Sequence, residues 1–343
     1  MRKLWRTGLL AVSAALVLAA CNGDDSNNED DSATNETGEE TTETTGAGNS
    51  PGLDYDITFI IYAGPEVEFF VPVVNGAEEA AEQFGINLNV QYAEEDNTQQ
   101  NNLIESAIAS GADAIAVSIQ DNDAFTNTIC DARDAGIPVV SFNVDASEGP
   151  VLDCRMAFMG QDFVETGYII GQRMIEEHGI GEGDLVFAPV EAPEAVYAVQ
   201  RYEGLQRALE EVGAESELVG TGFNLADVQT TIVQYLLGQP DTAAIVALGS
   251  APLTVAPAAI DEAGIDLPIG GFDLTDEIIA SIQDGTITAT VDQQPFSQGY
   301  FAVTQLVLNL EYGLFPSNMN TGGTGLVDDT NVDIVAELVG EIR

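Results

Sequence analysis

The sequence predicts an α/β protein of two doubly wound lobes, each built on a parallel sheet. Three observations carry this. Apolar strand-length runs alternate with segments of helical period along most of the chain. The runs are continuously apolar, as in strands covered on both faces by helices. The alternation also comes as two series over about 290 residues, too much chain for one simple core.

The elements follow in order. ITFIIYA (57–63) reads as a strand, and a helix follows over 71–84, with Val74, Ala77, Ala80, Ala81 and Phe84 on one face and Gly85 as its stop. NLNVQYA (87–93) is the next strand. Leu103, Ile104, Ala107 and Ile108 mark a helix ended by Gly111. AIAVSI (114–119), a helix to Ala135 and VVSFNV (139–144) continue the series. A second series starts near MAFMG (156–160) and runs through LVFAPV (185–190), ELVGTGF (217–223), AAIVALG (243–249) and PIGGFD (268–273). Helices around 163–178, 195–212, 226–237 and 252–263 separate these strands. ITATVDQ (287–293) and a helix near 297–312 close the pattern.

The N-terminus carries an address. Arg2, Lys3 and Arg6 precede an apolar run, Gly8 to Ala20, too short for a permanent membrane span. Leu18-Ala19-Ala20-Cys21 resembles a bacterial lipobox, which makes residues 1–21 a lipoprotein signal with Cys21 as the lipidated residue. An ordinary cleaved signal with an incidental Cys is the alternative. Acyl chains on Cys21 would hold the domain at a membrane without a spanning helix. Residues 22–53 are Asp, Glu, Asn, Ser, Thr and Gly with almost nothing to bury, and read as a disordered acidic linker. Its flexible reach is about 30 Å.

The chain holds 57 acidic and 9 basic residues, a net charge of −48. Beyond the signal there are six Arg and no Lys. A polyanion of this kind is repelled by phosphate backbones, which excludes nucleic acid as a partner. The acid is spread over the helices and reads as a hydrated surface adapted to high salt, where screening relieves self-repulsion; cation buffering is the other reading. Cys130 and Cys154 either pair in an oxidising compartment or stay as two buried thiols.

In doubly wound sheets, ligands bind beyond the carboxyl ends of the strands. Those ends carry Phe69, Phe70, Tyr197 and Phe223 as apolar faces, and Asn143, Asp145, Asp273 and Gln293 as donors and acceptors. Arg201 lies one turn into the helix after Tyr197. Hydroxyl groups both donate and accept, so they match carboxylates, amides and guanidinium, while the C–H faces of a sugar pack on rings. The adjacent Phe69 and Phe70 are therefore expected to form one wall of a sugar site. Competing readings stay open: one or both rings plug the core, and Asp273 caps the helix near 276. Arg201 could pair with Glu203 or Glu194, Gln293 could satisfy crossover backbone, and Asn143 and Asp145 could form a turn.

The runs FFVPVVNGAEEAAEQFG, QNNLIESAIASGADAIAVSIQDNDAF and ARDAGIPVVSFNVDA resemble the first lobe of bacterial periplasmic sugar-binding proteins of the ribose/galactose type. The resemblance continues through MAFMGQDFVETGYIIGQRM, QRYEGLQRAL, GGFDLTDE and TATVDQQPFSQGY, covering about 55 to 312. It implies two lobes joined by three crossovers, with ligand between them and delivery to an ABC permease. The first lobe is expected over 54–160 plus 294–312 and the second over 161–293 plus 313–343. Phe69 and Phe70 fall on the family's ring-stacking pair, Arg201 on its sugar-bonding arginine, and Phe223 near a second-lobe ring. Asp273 falls on the strand-end aspartate and Gln293 on the hinge glutamine. Asn143-Val144 stands where ribose binders have Asp-Arg, and Gly249 where they have Asn, which puts ribose itself in doubt.

Other classes fit less well. The single His178 has no metal-site neighbours, GxSxG is absent, and GTGFNLAD (220–227) lacks the third glycine of a dinucleotide loop. The expectation is a binding protein without cofactor, acting as a monomer. A sensor presenting ligand to a membrane kinase or chemoreceptor would share the same fold.

Overall fold

The computed structural model describes residues 52–322 and 325–343. The export signal, Cys21 and the linker up to residue 51 lie outside the described residues. At the linker's end, Leu53 donates its N–H to Phe84 O and packs on a core, so the ordered domain starts a little before the expected boundary at 54.

The chain alternates as expected. β1 (Asp56–Ile61), α1 (Phe70–Phe84), β2 (Asn87–Tyr92), α2 (Asn97–Ser110), β3 (Ala114–Val117), α3 (Thr126–Asp134), β4 (Val139–Asn143) and β5 (Phe158–Gly160) come first. Then follow α4 (Phe163–His178), β6 (Leu185–Val190), α5 (Val196–Glu210), β7 (Glu215–Gly220), α6 (Leu225–Gly238), β8 (Thr242–Ala247), α7 (Ser250–Ala263), β9 (Ile269–Phe272), α8 (Asp276–Gln283) and β10 (Ile287–Val291). α9 (Pro295–Tyr312), β11 (Met319–Asn320), β12 (Leu326–Val327) and α10 (Val332–Ala336) complete it.

Two six-stranded sheets result, ordered β11-β5-β4-β3-β1-β2 and β12-β10-β9-β8-β6-β7. All pairings are parallel except β10 with β12. The chain passes between sheets three times: after Gly160, after Val291 and after Asn320. MAFMG falls within the first lobe expected over 54–160 and pairs there with β4, although its run reads as the start of the second strand series. One sequence expectation changes outright. The stretch after 312, assigned wholly to the second lobe, is divided: β11 extends the first sheet and β12 the second. Strands of two residues leave no periodic trace.

Each sheet is sandwiched as the continuous apolar runs require. Ile57, Phe59, Ile60 and Ile61 of β1 are all fully buried, facing alternately the α1/α9 layer and the α2/α3 layer. The second sheet lies between α4/α5 and α6/α7/α8. Local signals set the ends: Asp96 caps α2 by accepting from Thr98 and Gln99 N–H, and Gly85 closes α1 at φ 66°.

One packing device recurs in both lobes. In α1 and α9, a Cβ on Gly76 would strike Phe296 O and one on Gly299 would strike Val73 O. In α4 and α5, Gly167 faces Arg201 O and Gly204 faces Val164 O in the same way. These helix pairs approach backbone to backbone, which fixes where α5 carries Arg201. Cys130 on α3 is disulfide-bonded to Cys154, Cα atoms 4.9 Å apart.

Candidate functional site

Five non-glycine residues have positive φ among the described residues: Glu94, Glu95, Asn143, Asp273 and Gln294. Each lies at or just beyond the carboxyl end of a parallel strand, Gln294 in the crossover to α9. Left-handed backbone costs an L-residue on the order of 1 kcal/mol or more and gathers where function over-determines geometry. Asp273 is locked there, its N–H donating to Val291 O and its carbonyl accepting from Thr290 Oγ1.

From these residues runs a chain of side-chain amides and charges linking the lobes. Asn143 Nδ2 donates to Gln298 Oε1 at 3.2 Å. Gln298 Nε2 donates to Gln293 O at 3.1 Å, and Thr321 Oγ1 donates to the same carbonyl at 2.9 Å, so the second and third crossovers meet. Gln293 Nε2 donates to Asp273 Oδ1 at 2.5 Å. Asp273 Oδ2 lies 3.9 Å from Arg201 Nη1, and Arg201 Nη2 donates to Gln161 Oε1 of the first crossover at 3.4 Å. Asn143 and Gln298 belong to the first lobe, Asp273 and Arg201 to the second.

Arg201 is 2% exposed. Its guanidinium carbon lies 4.1 Å from the Phe272 ring centroid, 5.0 Å from Phe163 and 5.2 Å from Tyr197, and Nη1 donates to Leu248 O at 2.8 Å. This ring cage and backbone bond hold the cation in one orientation. Neither Glu203 nor Glu194 is its partner. Asp273 does not cap α8 either; Thr275 does, accepting from Ile278 N–H.

Beside this cluster sits Glu191, just past β6 and 8% exposed. Its Oε1 accepts from Ala251 N–H at 2.8 Å and its Oε2 from Tyr197 OH at 3.2 Å. Burial raises its pKa, partly offset by backbone N–H groups. Burial and Glu191 raise that of Tyr197. Tyr62, at the end of β1 in the other lobe, is pushed up to about 12, first by burial, and feels the charges of Glu95, Arg201, Asp273 and Glu191.

Among the described residues, several buried polar atoms here have no partner: Gln161 Nε2, Arg201 Nε and Gln293 Oε1 in the chain, and Gln120 Oε1 just past β3. Two donate and two accept.

The remaining sequence candidates divide. Phe70 is 2% exposed and packs in the first-lobe core, edge-on to Tyr62 at 5.4 Å. Of the two readings left open for this pair, Phe70 follows the one in which a ring plugs the core, while Phe69 is half-buried and edge-on to Phe70 at 5.3 Å. Phe223 is 69% exposed, outside the buried cluster. Asp145 does not join the chain. Arg155 holds its Oδ2 through Nε at 2.9 Å and Nη2 at 2.5 Å. Both line a cavity of about 360 Å³ that shares only Gln161 with the polar chain. Gln161, Gln298, Glu191 and the hydroxyl end of Tyr62 were not singled out from sequence. An amide inside an otherwise apolar helix face was the available signal for Gln298.

Among the described residues, no group of three or more His, Cys, Asp or Glu is placed to hold a metal ion, and no helix is long and apolar enough to cross a membrane.

Comparison with known proteins agrees with this geometry. The periplasmic binding protein domain family matches residues 57–313. The xylose/arabinose-binding protein of Sulfolobus acidocaldarius is 30% identical over 271 residues, covering 74% of this chain and 66% of that protein, just under two thirds of its length. The ribose import binding protein of Bacillus subtilis is 27% identical over 66% of this chain and 72% of its own. Among solved structures, a carbohydrate transporter from Acidothermus cellulolyticus in complex with myo-inositol superposes with a TM-score of 0.74 at 28% identity, over 84% of this chain and 99% of that one. The two α/β lobes with their parallel sheets, the three crossovers and a family match over three quarters of the sequence give one conclusion: the chain belongs to the periplasmic binding protein domain family.

Proposed function

We propose that this protein is an extracytoplasmic receptor that captures a sugar or sugar-like polyol between its lobes and delivers it to an ABC permease. Cys21 would tether it to the membrane and the acidic linker would give it reach. It binds and releases; it does not turn the ligand over. The lobes would close about the three crossovers, because a ligand that bonds to both lobes favours the state in which both are in reach.

The observation that carries the reading is the set of unpartnered buried atoms on the polar chain: Gln161 Nε2 and Arg201 Nε as donors, Gln293 Oε1 as acceptor. Leaving such groups unbonded costs about 1–3 kcal/mol each. Sugar hydroxyls answer both kinds, and the half-buried Phe69 offers a face for their carbon skeleton. The relatives named for xylose, arabinose and ribose, and the neighbour holding myo-inositol, support a neutral polyol of similar size.

A thermal-shift screen in high salt against D-xylose, L-arabinose, D-ribose, D-galactose and myo-inositol tests this. A ligand at about 100 times its dissociation constant adds roughly 2.7 kcal/mol. At least one panel member should raise Tm by several degrees; no shift from any of them contradicts the reading.

A further inference from the structure

Gly249 opens α7 with no side chain to offer, and the space a Cβ would take there is filled by the carboxylate of Glu191. The carboxylate reaches it from the end of β6, a different strand. Ala251 N–H and Tyr197 OH occupy one site on each oxygen. A carboxylate has about four acceptor sites, so about two remain. Tyr197 lies between Glu191 and Arg201, bonded to one and stacked near the other. In the other lobe, Tyr62 follows β1 and stands edge-on to Phe70, whose ring in turn meets Phe69.

We propose that Glu191, flanked by Tyr197, is a specificity-determining residue of the interlobe site. It accepts a pair of neighbouring hydroxyls at the end of the ligand away from Gln293, and it excludes anionic sugars. The inference rests on the sugar-binding reading above and deepens it. Asp273 lies 3.9 Å from the Arg201 guanidinium and Glu191 stands behind Tyr197, so two carboxylates share a single nearby cation. A neutral vicinal diol fits this arrangement. A sugar acid would bring a third carboxylate into a buried space with a single cation, where like charges repel and water does not screen them.

A purely structural role for Glu191, as acceptor for the first turn of α7, predicts something different. Glu191→Gln keeps an oxygen for Ala251 N–H and offers its NH2 to the Tyr197 hydroxyl oxygen, so the fold and any ligand preference would be unchanged.

The test is titration calorimetry in high salt on the full domain, comparing wild type, Glu191→Gln and Tyr62→Phe. The probes are D-xylose, L-arabinose, D-ribose, myo-inositol and D-glucuronate. Glu191→Gln should weaken the best neutral ligand at least about tenfold and narrow the gap to D-glucuronate. Tyr62→Phe should weaken the same neutral ligand. If both variants keep wild-type affinities and rank order, Glu191 is structural and the inference is overturned while the sugar reading stands. If wild type binds none of the probes, the sugar reading falls and takes this inference with it. Should Glu191→Gln fail to fold, Tyr62→Phe decides by the same criterion.

Discussion

Gln293 donates from Nε2 to Asp273 Oδ1 at 2.5 Å, while its Oε1 is buried with no partner among the described residues. The crossover between the lobes thus grips the strand-end carboxylate with one end of its amide and holds the other end ready. Asp273 in turn faces Arg201 at 3.9 Å. Under the proposed function, removing either charged group would take away a ligand bond and leave its partner without the neighbouring charge. Asp273→Ala and Arg201→Ala should each weaken binding of a confirmed sugar by about 2–3 kcal/mol, roughly a hundredfold. Calorimetry on the two variants checks this, and wild-type affinity in both would place the site elsewhere.

The adjacent rings should separate by role. Phe70 lies in the core, and truncating a buried Phe to Ala costs about 3–5 kcal/mol of stability. Phe69→Ala should cost much less stability but weaken sugar binding. Denaturant melts and calorimetry on the two variants measure both effects. Equal stability losses would mean that Phe69 is core as well.

Helix packing should position the binding arginine. A Cβ at Gly167 has no room against Arg201 O, so Gly167→Ala must push α4 from α5. Both lower stability and weaker sugar binding are expected, although residue 167 touches no ligand. Unchanged binding in this variant would show that Arg201 tolerates displacement.

The pH dependence has a definite sign. Asp145, Glu191 and Asp292 all have raised pKa values, in each case first because of burial. A raised native value means that the folded state binds the proton more readily. Their contribution is complete below the ordinary carboxylate value near about 4 and is lost as pH rises through the native values. Asp284, held down by hydrogen bonds from Thr286, works the other way, as does Asp328, where bonds from Thr330 outweigh burial. The two lowered groups change their contribution only below the ordinary carboxylate value, so the three raised ones set the sign above it, and Tm in high salt should rise as pH is lowered from about 7 toward about 5. A fall over that window would contradict the raised values of the three buried carboxylates.

Salt should matter strongly. At a net charge of −48 the folded surface repels itself, and the Debye length grows from about 3 Å in 1 M salt to about 10 Å in 0.1 M. Dialysis to low salt should lower Tm by many degrees. An unchanged melting curve would remove the reading of the acidic surface as a high-salt adaptation.

The long elements were legible because their periods are written in consecutive residues. β1 and β6 read as buried strands, and α1 ends at Gly85 as its pattern requires. The division of the stretch after 312 was not legible, since the two-residue strands β11 and β12 carry no mark of which sheet they join. Nor were the polar partners. Asn143 meets Gln298 across 155 positions and Glu191 meets Ala251 across 60. No local pattern encodes those meetings. Asp273 and Gln293 could be picked out because they stand beyond strand ends, where doubly wound sheets bind ligands, and Arg201 because it lies one turn into α5; all three also fall on the family pattern that the sequence resembles. Phe70 could not be told from Phe69, because the turn into α1 decides which ring faces inward.

The central claim is that hydroxyl groups satisfy the unpartnered atoms between the lobes. Its most direct test is a crystal structure with the sugar that gives the largest thermal shift. The account predicts sugar oxygens within hydrogen-bonding distance of Gln293 Oε1 and Arg201 Nε, with a ring face on Phe69. A sugar seated elsewhere, with those atoms still unbonded, would contradict it.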